Sequence, residues 1–369
     1  MTVSIDNIAS SIYFLTGVPD VTISTQADKV HVRVVITGDS SSDTPVNQYY
    51  FTSGGFCHLF DICDLCKVFL EANNRVWCTC QITATVQDEH DEDVVDTASF
   101  KVFYESLATG RNVSSINDFF LITTDKKILY KHGKLDEFIG FANLKVQGES
   151  SLKTVRTVAV CRLSDGTTAS VSATDTIDFG SADVYTGTLQ FTYNSVLQAL
   201  KTVNSDVTDV LSFRLELDNR TVSYVVSDDD THHLASFYFR NHFGMTETIA
   251  LPGAIKEVHD ISQNVTVSGH TRIKYDQNVE QSFQFQSAAL PSFLEPSVLS
   301  LLIAESVTVW FARGIAKGVL ITDSTWEPSN EIGTVNSVKL TYKFTDDRVV
   351  KYSDSVIRIF NNVYDNSYG

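Results

Sequence analysis

Five of the six cysteines in this chain lie between residues 57 and 80, so the first chemistry to weigh is that of clustered thiols. Cys63 and Cys66 have the C-x-x-C spacing of a zinc half-site, and Cys78 and Cys80 follow close downstream. The same residues also have a plain structural explanation. Ile62, Leu65, Cys66, Phe69 and Leu70 recur at helical period, which makes Cys66 a small side chain on a buried stripe. Cys78 and Cys80 alternate with Trp77 and Thr79 and so share one face of a strand. Reduced core thiols are the expected state, with a metal site or a disulfide as the alternatives, because an intracellular origin disfavours bridges. His58 adjoins Cys57, but neighbours on a strand point to opposite faces and do not form a nucleophile and base pair.

Two acidic runs, Asp88-Glu89-His90-Asp91-Glu92-Asp93 and Asp228-Asp229-Asp230-Thr231-His232-His233, are oxygen-rich enough to suit a divalent cation. Neither has the twelve-residue calcium loop with its central Gly and terminal Glu, and both read as solvated loops at matching positions between strands. Tyr49, Tyr50, Phe51 and Trp77 have the chemistry to stack on sugars, yet aromatics in strands usually fill the half-buried face, so core is the expectation. Gly-x-Ser-x-Gly, His-Glu-x-x-His, the phosphate loop and the dinucleotide fingerprint are all missing. Acidic residues are too numerous for any pairing as glycosidase carboxylates to be more than arbitrary. The expectation is a protein that is not an enzyme, with no catalytic, cofactor-binding or metal-ligating residues.

Composition sets the elements that must carry these residues. A chain of 369 residues with 43% hydrophobic side chains has material for two or three cores. The net charge of -17 is spread along the chain, whereas a phosphate-binding surface needs clustered Lys and Arg, so sequence-specific nucleic-acid binding is not expected. The N-terminal residues show no secretory pattern, and no apolar run reaches membrane-spanning length. A soluble protein made in a cytoplasm is the expectation.

One β-rich layout occurs twice. A helical stretch at 61–70 leads into a strand at 75–86, an acidic loop and a strand at 98–104; a helix at 193–200 leads into 210–217, Asp228-Asp229-Asp230 and 235–239. Leu65 to Leu197 is an offset of 132, Val76 to Val210 is 134 and Ser99 to Ser236 is 137, so the registers drift only by loop-sized insertions. Alternating strands at 29–36 and 151–162 open the two copies. Between them, 119–125 and 128–130 flank Asp125-Lys126-Lys127 and read as a hairpin and connector. The last segment has strands at 249–253, 264–268, 281–286, 307–311, 318–328 and 338–344 and a helix over 291–305 with Pro296 near its start, where a missing amide proton is tolerated. The predicted fold class is mainly β: two tandem β-sandwich-like domains at 1–105 and 151–240, a hairpin and connector at 106–150, and an α+β domain at 241–369.

The run Phe237-Tyr238-Phe239-Arg240-Asn241-His242-Phe243-Gly244-Met245-Thr246-Glu247 resembles structural proteins of tailed phages and prophages of gut Bacteroidales. So do the later runs Val319-Leu320-Ile321-Thr322-Asp323-Ser324-Thr325-Trp326-Glu327 and Ser337-Val338-Lys339-Leu340-Thr341-Tyr342-Lys343-Phe344. The resemblance covers the last third of the chain. It implies a hub-like final domain and a virion structural protein of the tail hub, distal tail or baseplate. Such a protein would form a ring with itself, dock other tail proteins and assemble in the bacterial cytoplasm. Strand-rich folds leave edges that a symmetric assembly can bury, and an acidic surface suits a lumen through which DNA slides. The alternative is a host-glycan-binding adhesion module built on the tandem sandwich-like domains, with host surface glycan as partner.

Overall fold

The computed structural model describes residues 2–132, 136–228, 233–268, 271–311, 315–327 and 336–345. Strands dominate. The front module contains β1 (Val3–Asp6), β2 (Ile12–Phe14), β3 (Val21–Thr25), β4 (Lys29–Thr37), β5 (Ser42–Phe51) and β6 (Phe56–Leu59). Helix α1 (Ile62–Ala72), β7 (Trp77–Gln87) and β8 (Asp93–Phe103) complete it. A short 3-10 turn at Val113–Asp118 leads to the middle module: β9 (Lys126–Tyr130), β10 (Glu137–Leu144), β11 (Leu152–Leu163), β12 (Thr168–Asp178), β13 (Val184–Phe191), α2 (Tyr193–Val203), β14 (Val207–Leu217) and β15 (Arg220–Ser227). The last module holds β16 (His233–Arg240), β17 (Thr246–Ser268), β18 (Thr271–Ser287), α3 (Glu295–Ile303), β19 (Val307–Phe311), β20 (Ile315–Glu327) and β21 (Ser337–Phe344).

The front and middle modules repeat one topology. Their larger sheets run β5-β4-β7-β8-β2 and β12-β11-β14-β15-β9. In each, the last strand lies parallel to its neighbour while the other pairs are antiparallel. A smaller sheet shares each core: β1-β3-β6 in front, β10-β13 in the middle. Alternation explains the strands. On β4, Val30, Val32, Val34 and Ile36 are buried and the residues between them face outward. Ile62, Cys66, Phe69 and Leu70 of α1 close the front core, and α2 starts at a capping box between Thr192 and Ser195 before burying Val196 and Leu200.

The duplication expected from the sequence is therefore present, but two of its parts were misplaced. The strand over 235–239, matched by sequence to the one at 98–104, is β16, and it pairs with β17 and β19 of the last module. The true counterpart of β8 is β15. The hairpin expected at 119–130 does not form: residues 119–125 are not a strand, and β9 instead pairs in parallel with β15. Parallel pairing joins residues far apart in the chain, so a turn-like Asp-Lys-Lys next to an apolar run is no guide to it.

The last module is a closed barrel in the order β16-β17-β18-β21-β20-β19, with Val298 and Leu301 of α3 buried against its core. Pro296 lies in the first turn of α3, as expected. The strands read as 249–253, 264–268 and 281–286 are pieces of two much longer ones, β17 and β18. Only part of that pair belongs to the barrel wall. β17 contacts β16 from Thr246 to Gly253, and β18 contacts β21 from Phe283 to Gln286. Beyond these points, among the described residues, the two strands pair only with each other, down to Ser268 and Thr271, and form an arm. At about 3.3 Å per residue the arm is about 40 Å long. No helix among the described residues is long and apolar enough to cross a membrane.

Candidate functional site

The run from Phe237 to Glu247 forms the joint of the molecule. It comprises the end of β16, a tight turn and the start of β17. The Asn241 carboxamide builds the turn: its Oδ1 accepts from the Phe243 and Met245 amides at 3.0 and 3.1 Å, and its Nδ2 donates to the Leu121 carbonyl and to Glu247 Oε2, both at 2.9 Å. Gly244 takes a positive φ of 74°, which an L side chain rarely adopts, and an added Cβ would also press on Tyr104 at 3.0 Å. Phe243 and Met245 then enter a cluster with Phe14 and Phe103 of the front module and Ala142 and Val184 of the middle one. Arg240 stacks 4.8 Å from the Tyr104 ring and donates to the Arg75 carbonyl at 3.0 Å. One short turn thus touches all three modules.

Beside it lies a fully buried charge cluster that sequence reasoning missed. Lys127 Nζ of β9 sits 3.5 Å from Glu137 Oε2 of β10 and 3.3 Å from Glu247 Oε1 of β17, and donates to the Thr248 carbonyl at 3.1 Å. The two carboxylates are unequal. Glu247 accepts from the Thr123 amide, the Thr123 hydroxyl and Asn241, at 3.1, 2.6 and 2.9 Å, while among the described residues Glu137 has besides Lys127 only the Tyr224 hydroxyl at 3.5 Å. Burial pushes Glu137 above the ordinary carboxylate value. For Glu247 burial acts the same way, but Lys127 and the three hydrogen bonds outweigh it and hold the group below that value. Burial likewise opposes the Lys127 charge, and the two glutamates outweigh it and raise its pKa. Lys127 bridges the two glutamates, and the fold favours the ionised form of Glu247 while disfavouring that of Glu137. The cluster is a lock between the middle module and the barrel, with all three charged side chains buried.

The thiols do not converge as C-x-x-C spacing suggested. Cys63 turns away to donate to the Leu15 carbonyl at 3.3 Å, and it is Cys66 of α1 that meets Cys78 and Cys80 of β7. Hydrogen bonds from Cys78 and Cys80 pull the Cys66 thiol down to about 5 against burial; contact with Cys66, then burial, pushes the other two up. Burial also raises Cys57 and Cys161. All six are free thiols, and no three His, Cys, Asp or Glu among the described residues have the geometry to hold a metal ion.

The acidic runs do not occupy matching places. Residues 88–92 form the turn between β7 and β8, where Asp88 Oδ1 accepts from the His90 and Glu92 amides at 2.8 and 3.0 Å, which lowers its pKa. The corresponding turn of the middle module is Asp218-Asn219, between β14 and β15. Asp228 instead leaves β15 and meets Lys131 and His132, each at 3.4 Å; residues 229–232 lie outside the described residues.

The aromatic expectation is corrected in part. Tyr50 and Trp77 pack against core clusters, but Tyr49 is 66% and Phe51 86% exposed. They sit on β5, the free edge of the front sheet, where only one neighbour, β4, covers the strand. The chain then turns through Gly54 and Gly55 into β6, the free edge of the smaller sheet. There Phe56 (47% exposed) and Phe60 (65% exposed) flank the exposed His58 ring at 6.4 and 5.7 Å. The middle module shows what such a face looks like when covered. Gly140 of β10 packs so closely on Met245 that a Cβ would lie 2.6 Å from its Cγ, Ala142 is buried in the shared cluster, and Phe138 meets Tyr238 edge-on at 5.5 Å.

The chain matches no protein-family model and no curated protein.

Proposed function

We propose that this protein is a structural, non-enzymatic subunit of a tailed-phage virion, at the tail hub, distal tail or baseplate. In this reading the paired sheets of the front and middle modules are sandwich-like spacers, and the barrel with α3 is the hub-like domain. The subunit forms a symmetric ring with itself and docks other tail proteins, assembling in the bacterial cytoplasm.

The observation that carries the reading is the β17–β18 arm. A two-stranded ribbon is marginal in water by itself, and this one extends about 40 Å from the barrel with both edges unpaired among the described residues. Unpaired edges of that length invite pairing with another chain. The phage-like runs fall on the same module: on β16, the turn and β17, on β20, and on β21.

The exposed row Phe56-His58-Phe60 favours one other reading, a host-glycan-binding module whose aromatic strip stacks on sugar rings. Light scattering of the purified chain over a concentration series, followed by negative-stain imaging, separates the two. Closed particles of fixed subunit number are the expected result. A strict monomer that binds bacterial surface glycans, with affinity lost in Phe60→Ser, would replace the assembly reading by the adhesion one.

A further inference from the structure

The middle module has a cavity at one end of its core, between the turn that joins β10 to β11 and the turn that joins β12 to β13. Its volume is about 250 Å³, just below the range of about 300–1,000 Å³ usual for drug-sized ligands, which suits one ring and not a chain of them. Three aromatic rings form its wall. Phe179 and Tyr185 stack at 4.8 Å with their planes 22° apart, and Phe141 lies 5.6 and 5.9 Å from them. Gly187 of β13 makes room for this arrangement, because a Cβ there would meet Phe141 at 2.7 Å and Tyr185 at 2.8 Å. The rim is tied together by the backbone: the Phe179 amide donates to the Ser151 carbonyl at 2.8 Å and the Lys145 amide to the Asp183 carbonyl at 2.9 Å. On β10, Ile139 and Phe141 belong to the middle core, and the next residue on that face by alternation is Asn143, directly opposite Tyr185. Asn143 is 7% exposed, yet its carboxamide makes only a 3.4 Å bond from Nδ2 to the Leu144 carbonyl, and among the described residues its Oδ1 accepts none. A carboxamide so deeply placed and so poorly paired is costly, and this one lines the cavity.

We propose that this cavity binds a single sugar ring. The inference goes beyond the assembly reading and does not depend on it. A sugar combines an apolar C–H face with hydroxyls that both donate and accept, and the cavity offers a partner for each part. The Phe179–Tyr185 wall takes the C–H face. Asn143 supplies an acceptor and donors to adjacent hydroxyls. Lys145 spends one N–H on the Ser181 carbonyl at 3.2 Å and keeps two for the ligand. The other cation of the rim, Lys153, is already matched by Glu149 at 2.8 Å and Asp218 at 3.4 Å, so the site selects by hydrogen bonds and shape more than by charge.

The test is saturation-transfer NMR on the full chain, with the methyl glycosides of glucose, galactose and N-acetylglucosamine and with glucuronic acid as probes at millimolar concentration. Transfer to the ring C–H protons of at least one probe is expected. Its affinity is expected to fall at least tenfold in Asn143→Ala, which removes the carboxamide, and in Ser181→Trp, which fills the mouth from an exposed turn position without entering the core. Circular dichroism and melting of both variants are expected to match wild type. Binding of no probe overturns the inference, as does binding that both variants keep. Binding lost instead in Phe60→Ser assigns the sugar to the aromatic strip of the front module and likewise overturns the cavity site. None of these results bears on the subunit number, by which the assembly reading stands or falls.

Discussion

The front and middle modules share a strand order but differ in what surrounds their smaller sheets. In the middle module β10 is buried on both faces, with Ile139 and Phe141 toward its own core and Gly140 and Ala142 toward the joint. In the front module β3 alternates buried Val21, Ile23 and Thr25 with half-buried Thr22 and Ser24, and the aromatic rings sit on the edge strand beside it. Burial on both faces favours small or apolar residues along the whole strand, whereas one-sided burial permits polar residues at every second position. The neighbours, and not the topology, have selected these side chains.

The sharpest way to break the comparison is at the charge cluster, which the front module lacks. Lys127→Met leaves two carboxylates facing each other without a cation in a fully buried site, and removing one partner of a buried pair costs about 3–5 kcal/mol. Chemical denaturation is expected to show that loss. Next in size is the close approach at β10. Gly140→Ala places a methyl 2.6 Å from Met245 Cγ, and overpacking of this kind costs about 1–3 kcal/mol, whereas Thr22→Ala on the open face of β3 is expected to stay within about 0.5 kcal/mol.

A pH series sharpens the assignment within the cluster. The raised pKa of Glu137 means that its ionised form is disfavoured in the fold, so its stability penalty grows as pH rises from the ordinary 4.5 through the folded value. The lowered Glu247 acts oppositely: its contribution is present above 4.5 and is lost as pH falls through its folded value. Lys127, raised above 10.5, keeps its contribution below that pH and loses it as pH climbs through the folded value. Glu137→Gln is therefore expected to flatten the decline in stability that sets in as pH rises above 4.5. Thermal melts that decline equally in wild type and variant would show that Glu137 is not the group whose ionised form the fold disfavours. The smallest effect belongs to the exposed strip. Phe60→Ser is expected to move folding stability by less than about 0.5 kcal/mol, as measured by chemical denaturation.

Much of the local structure was legible in the residues. Periodicity placed α1, α2 and α3 within a few positions of their ends, and alternation marked β4 and β11, because burial of one face leaves a period in the sequence. The duplication showed in the order helix, strand, turn, strand. Its last strand was misassigned because 235–239 carries the same apolar alternation as β8, and alternation records a buried face without naming the sheet it belongs to.

Other features left no readable trace. Tyr49 and Phe51 look like core aromatics until β5 proves to be a free edge. Lys127 looks like a turn residue until β9 is set beside β15 and under Glu247. Asn241 and Gly244 announce a tight turn, but nothing adjacent in sequence says that the turn fastens three modules. The sequence by itself determined a mainly β chain with few helices, a repeated module and no familiar catalytic motif, since those properties depend on composition and on contacts within a few residues. The barrel closure, the parallel strands, the buried ion pair and the open aromatic strip were decided only by tertiary structure. Each depends on pairing between segments distant in the chain, and a side chain's burial there is fixed by neighbours that its own sequence context does not contain.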